Sequence, residues 1–484
     1  MKSTTATCST PLHIWLIPVI WTVALGLWGL SRQNSVWRDE AATWQVAQRS
    51  TSDIVRLLEH VDVVHGLYYL FMHGLFECFG PSTAVLRLPS VLAIAVGALC
   101  VAVIGLRLAG PWAGLGGGLV FGVLPAVQFY LQEGRPYALV AAGAGVATSL
   151  LVTMLQGRHQ KRGWAAYCCA VLMCGWLNWL ALLILPAHLV TLVWTRAARG
   201  VWARWATASA VAISGTLPLI LFSMRQSAQV SWIPPLTWHM LIGPAVLLAV
   251  GGLGCLLAGP GAGRLSVASV GLPLLAVPQM GLIGLSLFQP LFVDRYILFS
   301  LLGLAILIGG ALGAAVRVVA QWSPKASLWT LPVILAVAMI ALLPQSLAKR
   351  SPASRVDDVL AAAAQTRQLK RDGDGVLFIP SARRDTRLVS PEAFTGLHDI
   401  ALATSPKDSG TLKGEEAIPS QVRTAMLAQH RIILITDATG VAKPARGERD
   451  RTKIEVLEKY FTPLSDEQAR GRRVIVYERL VPAP

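Results

Sequence analysis

Acidic residues are scarce in the first 345 residues of this 484-residue chain, and their positions restrict what it can fold into. The whole chain is 54% hydrophobic and only 14% charged, which is typical of a polytopic α-helical membrane protein. When the apolar runs are threaded through a bilayer, all the acids of this part fall on one side: Asp39, Glu40, Asp53, Glu59, Asp62, Glu77, Glu133 and Asp294. Because an acid beside a bilayer is costly and usually functional, the sequence predicts one chemically active face.

Eleven apolar runs are candidates for membrane-spanning helices of about 20 residues. With the N-terminus in the cytoplasm, the inner loops carry basic residues and no acid, as the positive-inside rule requires; Lys2, Arg158 and Arg317 are examples. The same rule accounts for the net charge of +16, so we expect no nucleic-acid partner. The predicted spans are 11–31, 84–106, 112–130, 137–157, 163–177, 179–195, 203–223, 239–258, 266–288, 293–315 and 326–345.

The sequence predicts two domains, a transmembrane domain over 1–345 and a small α/β domain over 346–484. The first extracytoplasmic loop, 32–83, contains two amphipathic stretches and one apolar stretch, at 40–48, 52–60 and 66–79. In the tail, apolar strand patterns alternate with helical patterns, which is typical of an α/β domain. The strands are predicted at 376–379, 431–437 and 473–477, and the helices at 422–429 and 453–460. An odd number of spans puts this domain on the extracytoplasmic side. It contains no glycine-rich phosphate loop or nucleophile motif, so we assign it no catalysis.

The motif Trp37-Arg38-Asp39-Glu40 follows the first predicted span. Adjacent carboxylates at a membrane surface could act as a general base, or could hold a divalent cation such as Mg²⁺ or Mn²⁺. At the start of a helix, both acids would also be favoured by the helix dipole. The structural alternative is a capped helix in which Arg38 pairs with the neighbouring acids.

A second polar motif in the same loop contains Asp62, His65 and Tyr68. Asp62 and His65 are three residues apart and could share a helix face, but no HExxH-like pattern supports a metal site. We therefore favour hydrogen bonding to a substrate for these two side chains. Tyr68 could contact a sugar or belong to the aromatic belt of the membrane interface.

The turn between the third and fourth spans contains Glu133, Arg135 and Tyr137. So many polar groups in one tight turn are unusual for an apolar region. The structural alternative is a loop ion pair at the membrane surface. A functional role is favoured because the turn would face the first extracytoplasmic loop.

Arg295 and Tyr296 open the tenth span, after Asp294. An arginine at this position can hold a phosphate with two parallel hydrogen bonds. Its alternatives are an ion pair with Asp294 or contact with lipid headgroups. Arg87, at the start of the second span, is a similar case. Acids that activate a hydroxyl and arginines that hold phosphate together indicate transfer from a lipid phosphate.

In their order along the chain, these motifs resemble those of a known superfamily. They are WRDEA, LYYL, LRLPS, YLQEGRPYAL, SWIPP and FVDRYIL, at 37–41, 67–70, 86–90, 130–139, 231–235 and 292–298. The set resembles the GT-C membrane glycosyltransferases, in the group of protein O-mannosyltransferases and aminoarabinose transferases. Within that group it looks like a bacterial branch of predicted mannosyltransferases. The resemblance covers about residues 10–345.

The resemblance implies an inverting glycosyltransferase that uses a polyprenyl-phosphate sugar, most simply mannose, as donor. The acceptor would be a hydroxyl of a protein, a glycan or a lipid on the extracytoplasmic face of the cell membrane. In such enzymes the acid of the first loop acts as base or organises the site, a role that falls to Asp39 with Glu40 beside it. The arginines that bind the lipid phosphate correspond to Arg135 and Arg295.

Two other functions fit a polytopic chain of this kind. The first is a transporter or lipid flippase, but residues 134–293 contain no acid, which disfavours ion-coupled transport. The second is a non-catalytic assembly protein for cell-envelope glycans. The presence of Asp39, Arg135 and Arg295 together disfavours that alternative.

Overall fold

The computed structural model describes residues 12–157, 161–227, 232–261, 263–445 and 447–480. Lys2, Arg158 and Ser231, which the sequence analysis cites, lie outside these ranges. The chain forms two compact units. The helical unit comprises the described residues up to Trp28 together with Leu88–Ser346, and the loop–tail unit comprises Gly29–Arg87 with the described residues from Leu347. The first loop thus belongs to the same compact unit as the tail, while the domain division at 345/346 stays a prediction.

Helices form most of the chain up to residue 350. They are α1 (His13–Leu27), α2 (Arg38–Ala47), α3 (Thr51–His60), α4 (Gly66–Phe79), α5 (Thr83–Ala109), α6 (Pro111–Val123), α7 (Pro125–Tyr130), α8 (Tyr137–Leu155), α9 (Lys161–Leu177), α10 (Ile184–Thr195), α11 (Arg199–Arg225), α12 (Ile242–Ala258), α13 (Val267–Ser286), α14 (Leu301–Trp322) and α15 (Pro324–Arg350). Short 3₁₀ helices lie at Val63–His65, Trp179–Leu183, Trp238–Leu241 and Asp294–Ser300.

Helical residues occupy each of the predicted spans, and the predicted class of polytopic α-helical membrane protein is confirmed. Within the described residues, seven helices are long and apolar enough to cross a bilayer: Thr83–Ala109, Tyr137–Leu155, Arg199–Arg225, Trp238–Ala258, Val267–Ser286, Asp294–Trp322 and Pro324–Arg350. Shorter apolar helices lie at His13–Leu27, Pro111–Val123 and Trp179–Thr195. The count of eleven spans stays a prediction.

Helix α14 is packed closely in the helical unit through glycines. A Cβ atom placed on Gly309 would lie 2.5 Å from the carbonyl oxygen of Ala113 in α6, and one on Gly303 would lie 2.5 Å from that of Gly271 in α13. Small residues allow helix backbones to approach in this way in membrane proteins. The close packing fixes the position of α14 and therefore of the 3₁₀ helix Asp294–Ser300 that leads into it.

The two amphipathic stretches and the apolar stretch of the first loop form the helices α2, α3 and α4. Ser50 caps α3 through a hydrogen bond from the Asp53 amide to its hydroxyl, 3.2 Å. The rings of Trp44 in α2 and Phe76 in α4 meet edge to face with 5.6 Å between centroids. The loop is therefore a packed helical layer of the loop–tail unit.

The tail is an α/β fold, as predicted. Its helices are α16 (Val359–Leu369), α17 (Asp385–Val389), α18 (Pro419–Leu427) and α19 (Glu448–Tyr460), and its strands are β1 (Gly375–Ile379), β2 (His398–Asp399), β3 (Leu402–Thr404), β4 (Glu415–Glu416), β5 (Arg431–Asp437), β6 (Phe461–Ala469) and β7 (Arg472–Arg479). The main sheet has the order β2-β1-β5-β7-β6. Strands β2, β1 and β5 are parallel, and β7 runs antiparallel to both of its neighbours, β5 and β6. Apolar clusters cover both of its faces, which explains the uninterrupted apolar runs of β1 and β5.

Candidate functional site

The candidate catalytic acids lie in the first turn of α2, in the loop–tail unit. Trp37 precedes the helix in an extended conformation (φ −100°, ψ 169°), and Arg38, Asp39 and Glu40 begin it. Two acids in a first turn are stabilised by the positive end of the helix dipole. Because successive side chains on a helix point about 100° apart, each of the three meets a different environment.

Glu40 is completely buried and ion-paired. Its two carboxylate oxygens accept hydrogen bonds from Nε and Nη2 of Arg87, both at 2.7 Å. A second guanidinium, of Arg32, lies 3.6 Å from the same carboxylate. Arg87 also donates to the carbonyl oxygens of Leu30 (2.9 Å) and Ser35 (2.5 Å). This bidentate pair therefore joins the start of α5 to the loop that precedes α2.

The environment of Glu40 keeps it ionised. Burial by itself raises the pKa of this carboxyl, but the charges of Arg87 and Arg32 and the hydrogen bonds from Arg87 outweigh burial and lower the pKa from 4.5 to about 2. The geometry favours a positioning role for Glu40, and its predicted part in catalysis stays a prediction. Both oxygens of Glu40 accept hydrogen bonds from Arg87, so a metal ion shared with Asp39 would compete with this ion pair.

Asp39 differs from Glu40 in that its side chain is partly exposed. It lies between two residues whose side chains are both fixed by ion pairs, Arg38 and Glu40. A carboxylate with access to solvent can meet a substrate hydroxyl, which a completely buried carboxylate cannot. Of the two predicted catalytic acids, Asp39 is the one that solvent reaches, and its role as a base stays a prediction.

Arg38 pairs with acids of the tail and not with its neighbours in the motif. Its Nε lies 3.1 Å from Oδ2 of Asp357, and its Nη2 lies 3.5 Å from Oδ1 of Asp437. Burial raises the pKa of Asp357, but Arg472 and Arg38 more than reverse this and hold that pKa below its ordinary value. The predicted substrate contact of Arg38 stays a prediction. In the structure its guanidinium pairs with Asp357 and Asp437.

The second loop motif is built around Asp62, which has a left-handed backbone (φ 58°). Its carboxylate accepts a hydrogen bond of 2.7 Å from the hydroxyl of Tyr69. The ring of His65 packs on that of Tyr69 with 5.9 Å between centroids, and Tyr68 is fully buried. Asp62 thus stabilises the start of α4, and the substrate contacts predicted for Asp62, His65 and Tyr68 stay predictions.

In the helical unit, the turn that contains Glu133 and Arg135 is fixed by polar contacts. The Gln132 amide donates to the carbonyl oxygens of Gly26 (2.8 Å) and Trp28 (2.7 Å) at the end of α1. The Ser90 hydroxyl of α5 donates to the Glu133 carbonyl oxygen at 2.6 Å. The side chains of Glu133 and Arg135 are both buried. These hydrogen bonds therefore fix the backbone that carries the two charged residues.

Arg295 lies among aromatic rings of the same unit. Its guanidinium carbon is 5.5 Å from the ring centroids of both Tyr137 and Trp232, and 5.9 Å from that of Tyr296. Such contacts are attractive because the face of an aromatic ring is negative. Three predicted substrate-binding residues, Tyr137, Arg295 and Tyr296, are thus brought together, and Trp232 joins them.

A largely apolar cavity of about 740 Å³ adjoins Asp294 in the helical unit. The few polar groups of its wall include Asp294, which accepts a hydrogen bond of 3.1 Å from the Tyr130 hydroxyl, and Gln279, which donates to the Ser300 hydroxyl at 3.0 Å. Pockets with apolar walls and a few fixed polar groups are typical ligand sites. This one has the character needed for an amphiphilic molecule.

Within the ranges that the structure describes, no three side chains of His, Cys, Asp or Glu gather as metal ligands would. The divalent cation considered for Asp39 and Glu40 stays a prediction.

Solved structures of membrane glycosyltransferases have the same fold. ArnT, the aminoarabinose transferase of Cupriavidus metallidurans, aligns in its apo state with a TM-score of 0.61 and 13% identity, over 95% of this chain and 97% of ArnT. The same enzyme bound to undecaprenyl phosphate aligns at 0.56 and 14%, over 96% and 98%. The apo oligosaccharyltransferase of Archaeoglobus fulgidus gives 0.50 and 10%, over 88% and 69%. This chain has the GT-C fold. No family model and no curated protein matches the sequence.

Several ion-pair partners of the candidate residues could not be found from the sequence. Arg32 and Arg87 were not assigned to Glu40, and Asp357 and Asp437 were not assigned to Arg38. Arg87 carries a signal, because it lies in the LRLPS motif, but its position at the start of a predicted span is as compatible with phosphate binding as with an ion pair. No local pattern connects Arg38 with Asp357, since 319 residues separate them.

Proposed function

We propose that the protein is an inverting glycosyltransferase that moves a sugar from a polyprenyl-phosphate donor to an acceptor hydroxyl. The observation that carries the proposal is the likeness to ArnT over 95% of this chain, since one structure of that enzyme holds undecaprenyl phosphate. Mannose is the first sugar to test, because the sequence motifs resemble those of predicted mannosyltransferases. The acceptor would be a protein, a glycan or a lipid.

The reaction exchanges one bond at the anomeric carbon of the sugar. The oxygen of the acceptor hydroxyl attacks this carbon from the face opposite the phosphate. The bond from the carbon to the phosphate oxygen breaks, and its electron pair leaves with the polyprenyl phosphate. The hydroxyl proton passes to a base, so the products are the inverted glycoside, the lipid phosphate and a protonated base that later releases the proton to water.

In this mechanism Asp39 is the base. Its partial exposure in the first turn of α2 supports the assignment, because the base must come within hydrogen-bond distance of the acceptor. Glu40, held by Arg87, keeps that turn in place and remains ionised. The roles of the two adjacent acids thus follow from their different environments.

Arg135 and Arg295 stabilise the leaving phosphate. Charge on the phosphate oxygen grows as the bond to the sugar breaks, so a fixed guanidinium favours the transition state. The aromatic rings around Arg295 and the rigid turn that carries Arg135 support this role. The apolar cavity next to Asp294 has the character to receive the first isoprene units of the donor.

The reaction would take place on the extracytoplasmic face of the cell membrane. This orientation rests on the sequence, in which the predicted inner loops are basic and free of acids. In that orientation the candidate acids and the tail lie on the extracytoplasmic side.

Substitution of Arg295 with lysine should raise the KM for the donor by about tenfold, because a point charge replaces the planar fork that binds phosphate with two hydrogen bonds. Lysine also loses the planar surface that stacks on the three rings. The measurement is initial transfer rate against donor concentration in detergent. The matched control is Arg317→Lys, since Arg317 is exposed and donates only to the Ala109 carbonyl oxygen among the contacts described. An unchanged donor KM in the Arg295 variant would remove this residue from phosphate binding.

The function itself is tested with the purified full-length protein and a panel of radiolabelled donors. Polyprenyl-phosphate mannose, other polyprenyl-phosphate sugars and nucleotide sugars are each incubated with cell-envelope acceptors. We expect labelled product from one or more lipid-linked donors and none from nucleotide sugars. Transfer from a nucleotide sugar would overturn the proposal. The absence of product with every donor would also overturn it, and would favour a transporter or an assembly protein.

A further inference from the structure

The carboxyl edge of the tail sheet is occupied by a residue of the first loop. β1 and β5 are parallel, so their carboxyl ends meet at one edge, where Asp437 ends β5. In open α/β sheets this edge is the usual place for a ligand. Here Arg38 extends to it, with its Nη2 3.5 Å from Asp437 and its Nε 3.1 Å from Asp357. The tail therefore binds part of the same chain at its typical ligand position.

Asp357 also caps α2. The N-cap residue Trp37 makes no side-chain capping bond, although the first amides of a helix need partners. The amide of Arg38 donates to Oδ1 of Asp357 at 3.0 Å, while Nε of Arg38 donates to Oδ2 of the same carboxylate. One aspartate thus replaces the missing cap and holds the side chain at the same helix position.

The segment that carries Asp357 is joined to the loop at three further points. The Val359 amide donates to the Val36 carbonyl oxygen at 2.7 Å, and the Val36 amide donates to Oδ1 of Asp358 at 3.4 Å. Val36, Val359 and their neighbours Ala41 and Val389 form a buried apolar cluster. The start of α2 is therefore attached to the tail by backbone, carboxylate and apolar contacts.

Asp357 is itself held rigidly. It accepts from Nε (3.2 Å) and Nη2 (3.1 Å) of Arg472, which is fully buried and also binds Asp385 at 2.5 and 2.7 Å. Nη1 of Arg383 lies 3.9 Å from Asp357. Three arginines and three aspartates form this ionic cluster, namely Arg38, Arg383, Arg472, Asp357, Asp385 and Asp437. Their charges sum to zero, so no charge in the cluster is left without a counter-charge. A carboxylate fixed from several sides can in turn fix the helix that it caps.

We propose that Asp357 is a positioning residue for Asp39, and that the tail holds the first turn of α2 in the geometry that transfer requires. The proposal rests on the proposed function, since it assumes that Asp39 is the base. Asp39 lies between Arg38, held by the tail, and Glu40, held by Arg87. A shift of about 1 Å in such a group can reduce a rate by about 100-fold, which makes the attachment of α2 relevant to the rate.

The test compares Asp357→Ala with wild type in the full-length protein. We expect kcat to fall by about 10- to 100-fold while the donor KM changes by less than about twofold, because binding groups elsewhere are intact. Asp357→Asn keeps an oxygen that can accept a hydrogen bond from the Arg38 amide, so its kcat should lie between those of wild type and Asp357→Ala. If the alanine variant does not fold, the asparagine variant carries the test. Asp466→Ala is the control, since it breaks an exposed pair with Arg473 between β6 and β7 in the same domain.

Two further readouts separate positioning from a general structural role. In an Asp39→Asn background, Asp357→Ala should cause no additional loss of kcat, because the residue through which it acts is already gone. An additional loss as large as in wild type would overturn the proposal. Hydrogen exchange of the amides of residues 38–41 should become faster in Asp357→Ala and not in Asp466→Ala, and unchanged exchange would also overturn it. If wild type transfers no sugar but this exchange still increases, the proposed function fails and the attachment of α2 by Asp357 stands.

Discussion

Replacing Asp39 with asparagine is expected to lower kcat for sugar transfer by about 100- to 10,000-fold, the usual contribution of a positioned general base. Asparagine has nearly the same shape and can still accept a hydrogen bond, but it cannot take the proton of the acceptor hydroxyl. The KM values for donor and acceptor should change little, because the variant removes an interaction that strengthens only in the transition state. The measurement is the initial rate of transfer at saturating donor, with the amount of folded protein determined in each preparation.

Glu59→Gln provides the matched control for Asp39→Asn. Glu59 is an exposed acid of the same loop, in α3, and its substitution should leave the rate unchanged. Asp39→Glu should recover part of the activity, because it restores a carboxylate on a longer side chain. Full activity of Asp39→Asn would exclude this residue as the base, and the second candidate of the motif, Glu40, would then have to be reconsidered despite its ion pair with Arg87.

Much of the fold could be predicted because it is encoded in local patterns. The apolar runs coincide with helices, and the continuous apolar strands β1, β5 and β7 form the centre of the tail sheet. β6 was missed for a physical reason. It is an edge strand whose residues are mostly exposed, so the sequence FTPLSDEQA has no apolar period to detect.

The candidate site could be predicted only in part, because its decisive contacts join residues far apart in the chain. Sequence reasoning identified Asp39 and Glu40 as a pair, but it could not assign them different environments. That difference arises from Arg87, 47 residues after Glu40, which fully occupies one of the two carboxylates. The rings around Arg295 show the same limit, since Trp232 lies 63 positions before that arginine in the sequence.

Removal of Arg87 is expected to destabilise the loop–tail unit by about 3–5 kcal/mol, as for other buried ion pairs that lose one partner. In Arg87→Ala, Glu40 would remain in a fully buried position without its two hydrogen bonds of 2.7 Å, and the carbonyl oxygens of Leu30 and Ser35 would lose their donor. The measurement is the free energy of unfolding of this unit, from urea titration followed by proteolysis. Arg367→Ala, which breaks an exposed pair with Glu392, is the control and should cost less than about 1 kcal/mol.

The pH dependence of the destabilisation by Arg87→Ala tests whether Glu40 is its source. The pKa of Glu40 is lowered on folding from 4.5 to about 2, so the stability that its ionised form contributes is complete above about pH 4.5 and is lost as the pH falls through about 2. The difference between wild type and Arg87→Ala should therefore be largest above pH 4.5 and shrink towards pH 2. In the double variant Glu40→Leu with Arg87→Met, both charges are gone, and the unit should regain part of the lost stability because no charge is buried without a partner. A difference that does not change with pH would mean that Arg87 acts mainly through Leu30 and Ser35, and that Glu40 is not what fixes the turn that carries Asp39.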